Sequence, residues 1–163
     1  MNEITYTPIG YIRSPFDDTD EMPIQPAGAR GVKGSVEIEK EYKDGLDDLE
    51  GFSHIILICH LHLSAGYELK VVPFMDEVTR GLFSTRAPRR PNPIGLSVVR
   101  LLKIEENILF IENVDMIDGT PVLDIKPYIP SVDAVENPVT GWIDELENGN
   151  FTRLSDDRFS KDG

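Results

Sequence analysis

The sequence predicts a mainly β protein, a small antiparallel β-barrel with short helical segments. Three observations carry that expectation. Apolar and polar residues alternate over much of the chain, the period of two that suits half-buried strands. Thirteen glycines and twelve prolines supply frequent turn signals between those runs. Only one short segment repeats at helical spacing, and many short strands separated by turns favour an antiparallel barrel.

The elements follow in order. Ile4 to Ser14 alternates through Tyr6 and ends in Ser14-Pro15-Phe16, and Val32 to Glu39 sets Val36 and Ile38 on one face, so both read as strands. The polar, proline-containing stretch between them is longer than an ordinary connection, which marks a functional or disordered loop. Tyr42, Leu46, Leu49 and Phe52 recur at helical spacing and predict a short helix or helical turn. The apolar run His54 to Leu63 predicts a buried strand. Further strands are expected at Val78 to Thr85, Ser97 to Ile104 and Ile108 to Val114, the last two joined by a hairpin at Glu105-Glu106-Asn107. Asp118-Gly119 is a turn signal, and prolines follow at 121, 127 and 130. Trp142 is expected to anchor a short final strand. The expected division is a barrel domain over residues 1–143 and an acidic tail over 144–163 that frays or packs only through Phe151, Leu154 and Phe159.

Composition narrows the class. With 163 residues and 40% hydrophobic content the chain can bury one sizeable core. The single cysteine, Cys59, lies in an apolar run and cannot form an internal disulfide, which favours a reducing compartment. Neither a basic-plus-apolar leader nor a run of membrane-spanning length is seen, so the expected location is cytoplasmic, with no membrane partner.

Charge then singles out one stretch. The formal net charge is -13, yet residues 80–103 carry six Lys or Arg and no Asp or Glu. Clustered cations in an acidic chain repel one another unless an anion offsets them. The centre of the stretch, TRAPRRPNPIG, contains three prolines and a glycine, so its backbone is stiff and turned. A stiff loop holds the guanidiniums of Arg86, Arg89 and Arg90 near fixed positions, which suits recognition of an anion. The same stretch also reads as a solvated turn between strands.

IGYIRSPF, the Pro23-Ile24-Gln25 loop, GFSH at 51–54, GLFSTRAPRRPNPIGLS at 81–97 and DGTPVLDIKPYIP at 118–130 occur in this order. In these blocks the chain resembles the TsaA-like family, also called TrmO. The resemblance implies an S-adenosylmethionine (SAM)-dependent methyltransferase built on a small barrel, non-Rossmann, and acting as a homodimer. The implied substrate is N6 of threonylcarbamoyladenosine beside the tRNA anticodon, with tRNA as partner. The alternatives are a methyltransferase with another acceptor and a SAM- or nucleotide-binding module.

Beside the resemblance, the chemistry assigns candidates. SAM presents an adenine edge, ribose hydroxyls, a cationic sulfur and a zwitterionic end. Turns at Gln25-Pro26-Ala27 and Ile117-Asp118-Gly119-Thr120 can offer backbone groups that strands have already committed. The resemblance adds His62, Leu63, Arg86 and Leu96 to the cofactor site. The acceptor nitrogen needs its proton oriented or removed, for which Asn92, Asp124 and Tyr128 are the catalytic candidates. Asp124 and Lys126 read equally well as a salt-linked pair on one strand face. Arg13, Arg89, Arg90 and Lys126 suit phosphate or the threonyl carboxylate. His54, His60 and His62 share parity along one strand, the basis of a metal-enzyme reading, but lack a nearby acidic or cysteine ligand, so no metal is expected.

Overall fold

The structure is a computed structural model that describes residues 3–18, 28–74 and 76–145. Its centre is a closed antiparallel barrel formed by six of the eight strands found among the described residues. These are β1 (Gly10–Arg13), β2 (Lys33–Ile38), β3 (His54–His60), β6 (Ile94–Glu105), β7 (Ile108–Glu112) and β8 (Pro121–Pro127), ordered β1-β2-β7-β6-β3-β8. Closure gives each barrel strand a partner on both sides. The remaining two, β4 (Lys70–Val71) and β5 (Arg80–Gly81), form a small separate ribbon.

Alternation builds the interior. Ile55, Leu57 and Cys59 of β3 point inward and are fully buried, and Ile12, Val36, Val99, Leu109, Ile111 and Val122 meet them. Burial pushes the Cys59 thiol far up, so it serves as a core side chain. The long strand β6 pairs through its first half with β3, from Ile94↔His60 to Arg100↔His54, and through its second half with β7. A bulge between Leu101 and Lys103 shifts the register of β6 against β7 and bends the strand there. Where β1 crosses β2 the backbones touch. A Cβ on Gly34 would lie 2.5 Å from the Arg13 carbonyl oxygen, and one on Gly10 2.4 Å from that of Glu37.

Several sequence expectations are shortened or corrected. The first strand is confined to Gly10–Arg13, because Pro8 has no N–H for a ladder, and Ile4 and Tyr6 are exposed. The expected helix is two 3-10 segments, Lys40–Leu46 and Leu49–Gly51, with Leu49 buried. A strand over Val78 to Thr85 does not form beyond Arg80–Gly81. Instead Leu82–Ser84 is a 3-10 turn, where the hydroxyls of Ser84 and Thr85 donate back to the carbonyls of Gly81 and Leu82 at 2.8 Å each. Trp142 lies in a 3-10 turn, Gly141–Glu145, rather than a strand, since Gly141 has φ +61° and the Asp144 carboxylate accepts from Thr140 N–H and Oγ1. The tail contacts expected of Phe151, Leu154 and Phe159 lie outside the described residues. Strand β8, of which the sequence suggested only the face shared by Asp124 and Lys126, carries its prolines only at its two ends, where a ladder tolerates them.

Candidate cofactor and acceptor site

One end of the barrel gathers the C-terminal ends of β1 and β3, the start of β6 and the segment 113–120 between β7 and β8. The turn at Asp118-Gly119 sits there because Gly119 adopts φ +75°. It is tied along the continuation of β1. Asp118 N–H donates to the Phe16 carbonyl at 2.7 Å, Gly119 N–H to that of Ile12 at 2.8 Å, and Thr120 N–H to that of Ile117 at 3.2 Å. These three donors, expected to be open to a ligand, are therefore committed to the fold. What the turn presents instead is a side chain. Asp118 Oδ1 accepts from Ser14 N–H at 3.0 Å, and Oδ2 lies 3.8 Å from Arg13. The Ser14 hydroxyl donates to the Met116 carbonyl at 2.6 Å and holds the same segment.

Asp115, absent from the sequence candidates, lies in this segment. Its carboxylate accepts from the Ser97 hydroxyl at 2.7 Å, and burial pushes its pKa up to about 7, against smaller opposing effects of Ser97 and the nearby positive charge of Arg86. The signal available in the sequence was an acid set within the apolar run Val114-Asp115-Met116-Ile117. Asp115 links the two halves of the site, since Ser97 and Arg86 belong to the arginine-rich block and Asp115 adjoins Asp118. Gly95 makes a second link, because a Cβ there would lie 3.8 Å from Met116 Cε.

The arginine loop is folded on itself. Arg90 Nη1 lies 3.1 Å from the carbonyl oxygen of Thr85, 3.3 Å from that of Ala87 and 3.4 Å from that of Leu82, and its guanidinium sits 5.7 Å from the Phe83 ring. That nitrogen closes the loop rather than facing outward. Arg89 is half-buried, and Arg86 is exposed. Leu82 and Ala87 pack with Val71 in a small apolar cluster that anchors the loop to the β4–β5 ribbon.

The other candidates spread over the outer wall. Arg13 is engaged by Glu37 at 3.5 Å as well as by Asp118. Lys126 pairs with Asp124 at 2.7 Å on β8, the salt-linked reading, and the other Asp124 oxygen accepts from Ile125 N–H at 2.9 Å. Asp124 lies opposite Ile58, whereas Tyr128 N–H donates to the His54 carbonyl at the far end of β3. Asn92 precedes Ile94, the partner of His60. Some six residues of β3 thus separate the backbones near Asn92 and Tyr128, roughly 20 Å, so one chain does not bring the three catalytic candidates to one point. His62 and Leu63 follow β3, and desolvation, then the neighbouring His60, hold the His62 imidazole below its ordinary pKa. Leu63 and Leu96 are exposed, at 38% and 53%. Gln25, Pro26 and Ala27 lie outside the described residues. Among the described residues no group of three or more His, Cys, Asp or Glu is placed to hold a metal ion, and no helix is long and apolar enough to cross a membrane.

The donor set at this end fits the chemistry of SAM. Asp118 offers an acceptor to hydroxyl or ammonium groups, Arg86 a cation to a carboxylate, and Leu63 and Leu96 an apolar surface to an adenine face. Comparison with known proteins identifies the family. The family model described as the tRNA-methyltransferase O N-terminal domain matches residues 11–134. A probable S-adenosyl-L-methionine-binding protein of Pyrococcus abyssi is 52% identical over 156 residues, covering 96% of this chain and 85% of that protein. A tRNA (adenine(37)-N6)-methyltransferase of Mus musculus is 41% identical over 137 residues, covering 80% of this chain and 32% of the mouse protein. The crystal structure of TrmO from Pseudomonas aeruginosa superposes with TM-score 0.72 at 39% identity, covering 86% of this chain and 62% of that one. The chain thus spans less than two thirds of the bacterial structure and about a third of the mouse enzyme.

Proposed function

Because this chain belongs to the family of the tRNA-methyltransferase O N-terminal domain, we propose that it is a SAM-dependent methyltransferase acting on N6 of threonylcarbamoyladenosine beside the tRNA anticodon. The observation that carries the reading is the meeting of two distant sequence blocks at one barrel end. Ser97 bonds Asp115, and Arg86 lies within electrostatic reach of it, beside the Asp118-Gly119 turn. The names of the relatives as SAM-binding proteins and tRNA (adenine(37)-N6)-methyltransferases support the same reading.

In this reading the barrel of residues 1–143 is the working domain. The cofactor site is formed by Gln25-Pro26-Ala27, His62, Leu63, Arg86, Leu96 and the turn Ile117–Thr120. When bound, SAM supplies an electrophilic methyl group on a cationic sulfur. The chain's contribution is positioning, because displacement needs the acceptor nitrogen aligned about 3 to 3.5 Å from that carbon. Asn92 orients the acceptor N–H through its side-chain carbonyl, while Asp124 and Tyr128 present acceptor oxygens on the outer wall. The RNA backbone meets Arg89, together with Arg13 and Lys126 once their carboxylate partners yield to phosphate. Arg90 maintains the loop's shape.

The proposed working unit is a cytoplasmic homodimer. Support for the dimer comes from the outer face of β6, where Ile94, Leu96 and Leu102 are 45%, 53% and 41% exposed beside Ile56 and Ile58 of β3. An apolar strip of this kind is covered in a two-fold contact. Buried, unpaired Cys59 suits the reducing cytoplasm. Calorimetric titration with SAM, paired with light scattering on the same sample, tests both claims. Saturable binding of one SAM per subunit and a dimer mass are expected. No heat with SAM overturns the cofactor assignment, and a monomer mass at micromolar concentration overturns the dimer.

A further inference from the structure

The arginine loop is held from its outer side by a residue that no part of the proposed reaction uses. Trp142, the chain's only tryptophan, donates its indole N–H to the Ser84 carbonyl at 2.9 Å, two residues before Arg86. Its ring lies 5.0 Å from the Arg80 guanidinium. Arg80 is itself fixed by Asp76, whose Oδ2 accepts from Nε at 2.7 Å while Oδ1 accepts from the N–H groups of Glu77 and Val78. Asp76 is 9% exposed, so this anchor is buried. Trp142 lies beyond residue 134, where the match to the family domain ends.

We propose that Trp142 is a positioning residue that holds the arginine loop in its RNA-binding shape. This inference rests on the reading of that loop as the contact to tRNA. From within, Arg90 ties the carbonyls of Leu82, Thr85 and Ala87 together. From outside, Trp142 ties Ser84 and Arg80 to the turn Gly141–Glu145. A loop clamped on both sides presents its guanidiniums without first losing conformational freedom, and affinity gained by such preorganisation disappears when one clamp is removed. Arg86 lies near Asp115, which is fixed to the barrel through Ser97. Binding of SAM therefore depends less on Trp142 than binding of RNA does.

The test compares wild type with Trp142→Ala and Trp142→Phe in full-length protein, using methyl transfer to tRNA, calorimetry with SAM and anisotropy of labelled tRNA. Trp142→Ala should raise KM for tRNA about tenfold with kcat and SAM affinity within about threefold of wild type. Trp142→Phe, which keeps a ring over Arg80 and loses the N–H bond, should fall between. In wild type the Trp142 emission should change when tRNA is added. An unchanged KM for tRNA in Trp142→Ala overturns the inference while leaving the RNA reading intact. Equal loss of SAM and tRNA binding in both variants overturns it as well, because it marks a residue needed only for folding. If wild type binds no tRNA, the RNA reading fails and the inference fails with it.

Discussion

Asp115→Asn should leave the protein more stable than wild type at pH 8.5 and bring a clearly smaller gain at pH 5. The cause is the burial of a carboxyl whose native pKa is raised from 3.8 to about 7. The native state then holds this proton more tightly than the unfolded chain does. Its stabilising contribution is complete below about pH 4 and is lost as pH rises through about 7. The ceiling on that loss is about 4 kcal/mol, and relaxation around the charge should reduce it to roughly 1 to 3 kcal/mol. The asparagine amide stays neutral throughout and its oxygen can still accept from Ser97. Urea denaturation at the two pH values reads the difference directly. Parallel pH profiles for wild type and variant would show that Asp115 does not titrate in the native protein near neutrality.

Asp118→Ala should weaken SAM binding by roughly ten- to a hundredfold, the usual consequence of losing a hydrogen bond to a polar or charged ligand group. The loss acts at two levels. The carboxylate is removed from the barrel end, and Ser14 N–H loses the acceptor that holds it at 3.0 Å. The contact with Arg13 adds little, because both side chains are more than a third exposed, at 55% and 39%. Asp118→Asn separates the two levels, since it keeps an acceptor for Ser14 and removes the charge. Calorimetry should place its affinity between those of wild type and Asp118→Ala. Wild-type affinity in both variants would move the cofactor away from this turn.

The parts of the fold legible in the sequence were those governed by local pattern. The apolar run HIILICH marked β3 as a buried strand, and the alternation in VEI marked β2 as one with a single face in the barrel interior. The hairpin between β6 and β7 was legible because Glu106, at φ 56°, and Asn107 make a tight turn. The extent of β8 beyond the face shared by Asp124 and Lys126 was obscured by its prolines, whose harmless placement at the strand ends depends on neighbours far away in sequence. The site was legible to the same degree. The basic loop and the Asp-Gly turn announce themselves by composition, but the commitment of the turn's N–H groups to Phe16 and Ile12 is a tertiary fact. The inward turn of Arg90 is likewise decided by three carbonyls that only the folded loop presents. Asp115 was overlooked because its weight comes from Ser97, eighteen positions earlier.

The acidic surface sharpens the question of the acceptor, since a net charge of -13 repels RNA everywhere except at a local cationic patch. Binding of tRNA should accordingly be confined to few phosphates and fall only gently with salt. The most direct measurement is mass analysis of tRNA nucleosides after incubation of the protein with SAM carrying a deuterated methyl group. The account predicts that the label appears on threonylcarbamoyladenosine, giving its N6-methyl derivative, and on no other nucleoside. SAM binding without any labelled nucleoside, or label on a different base, would contradict it.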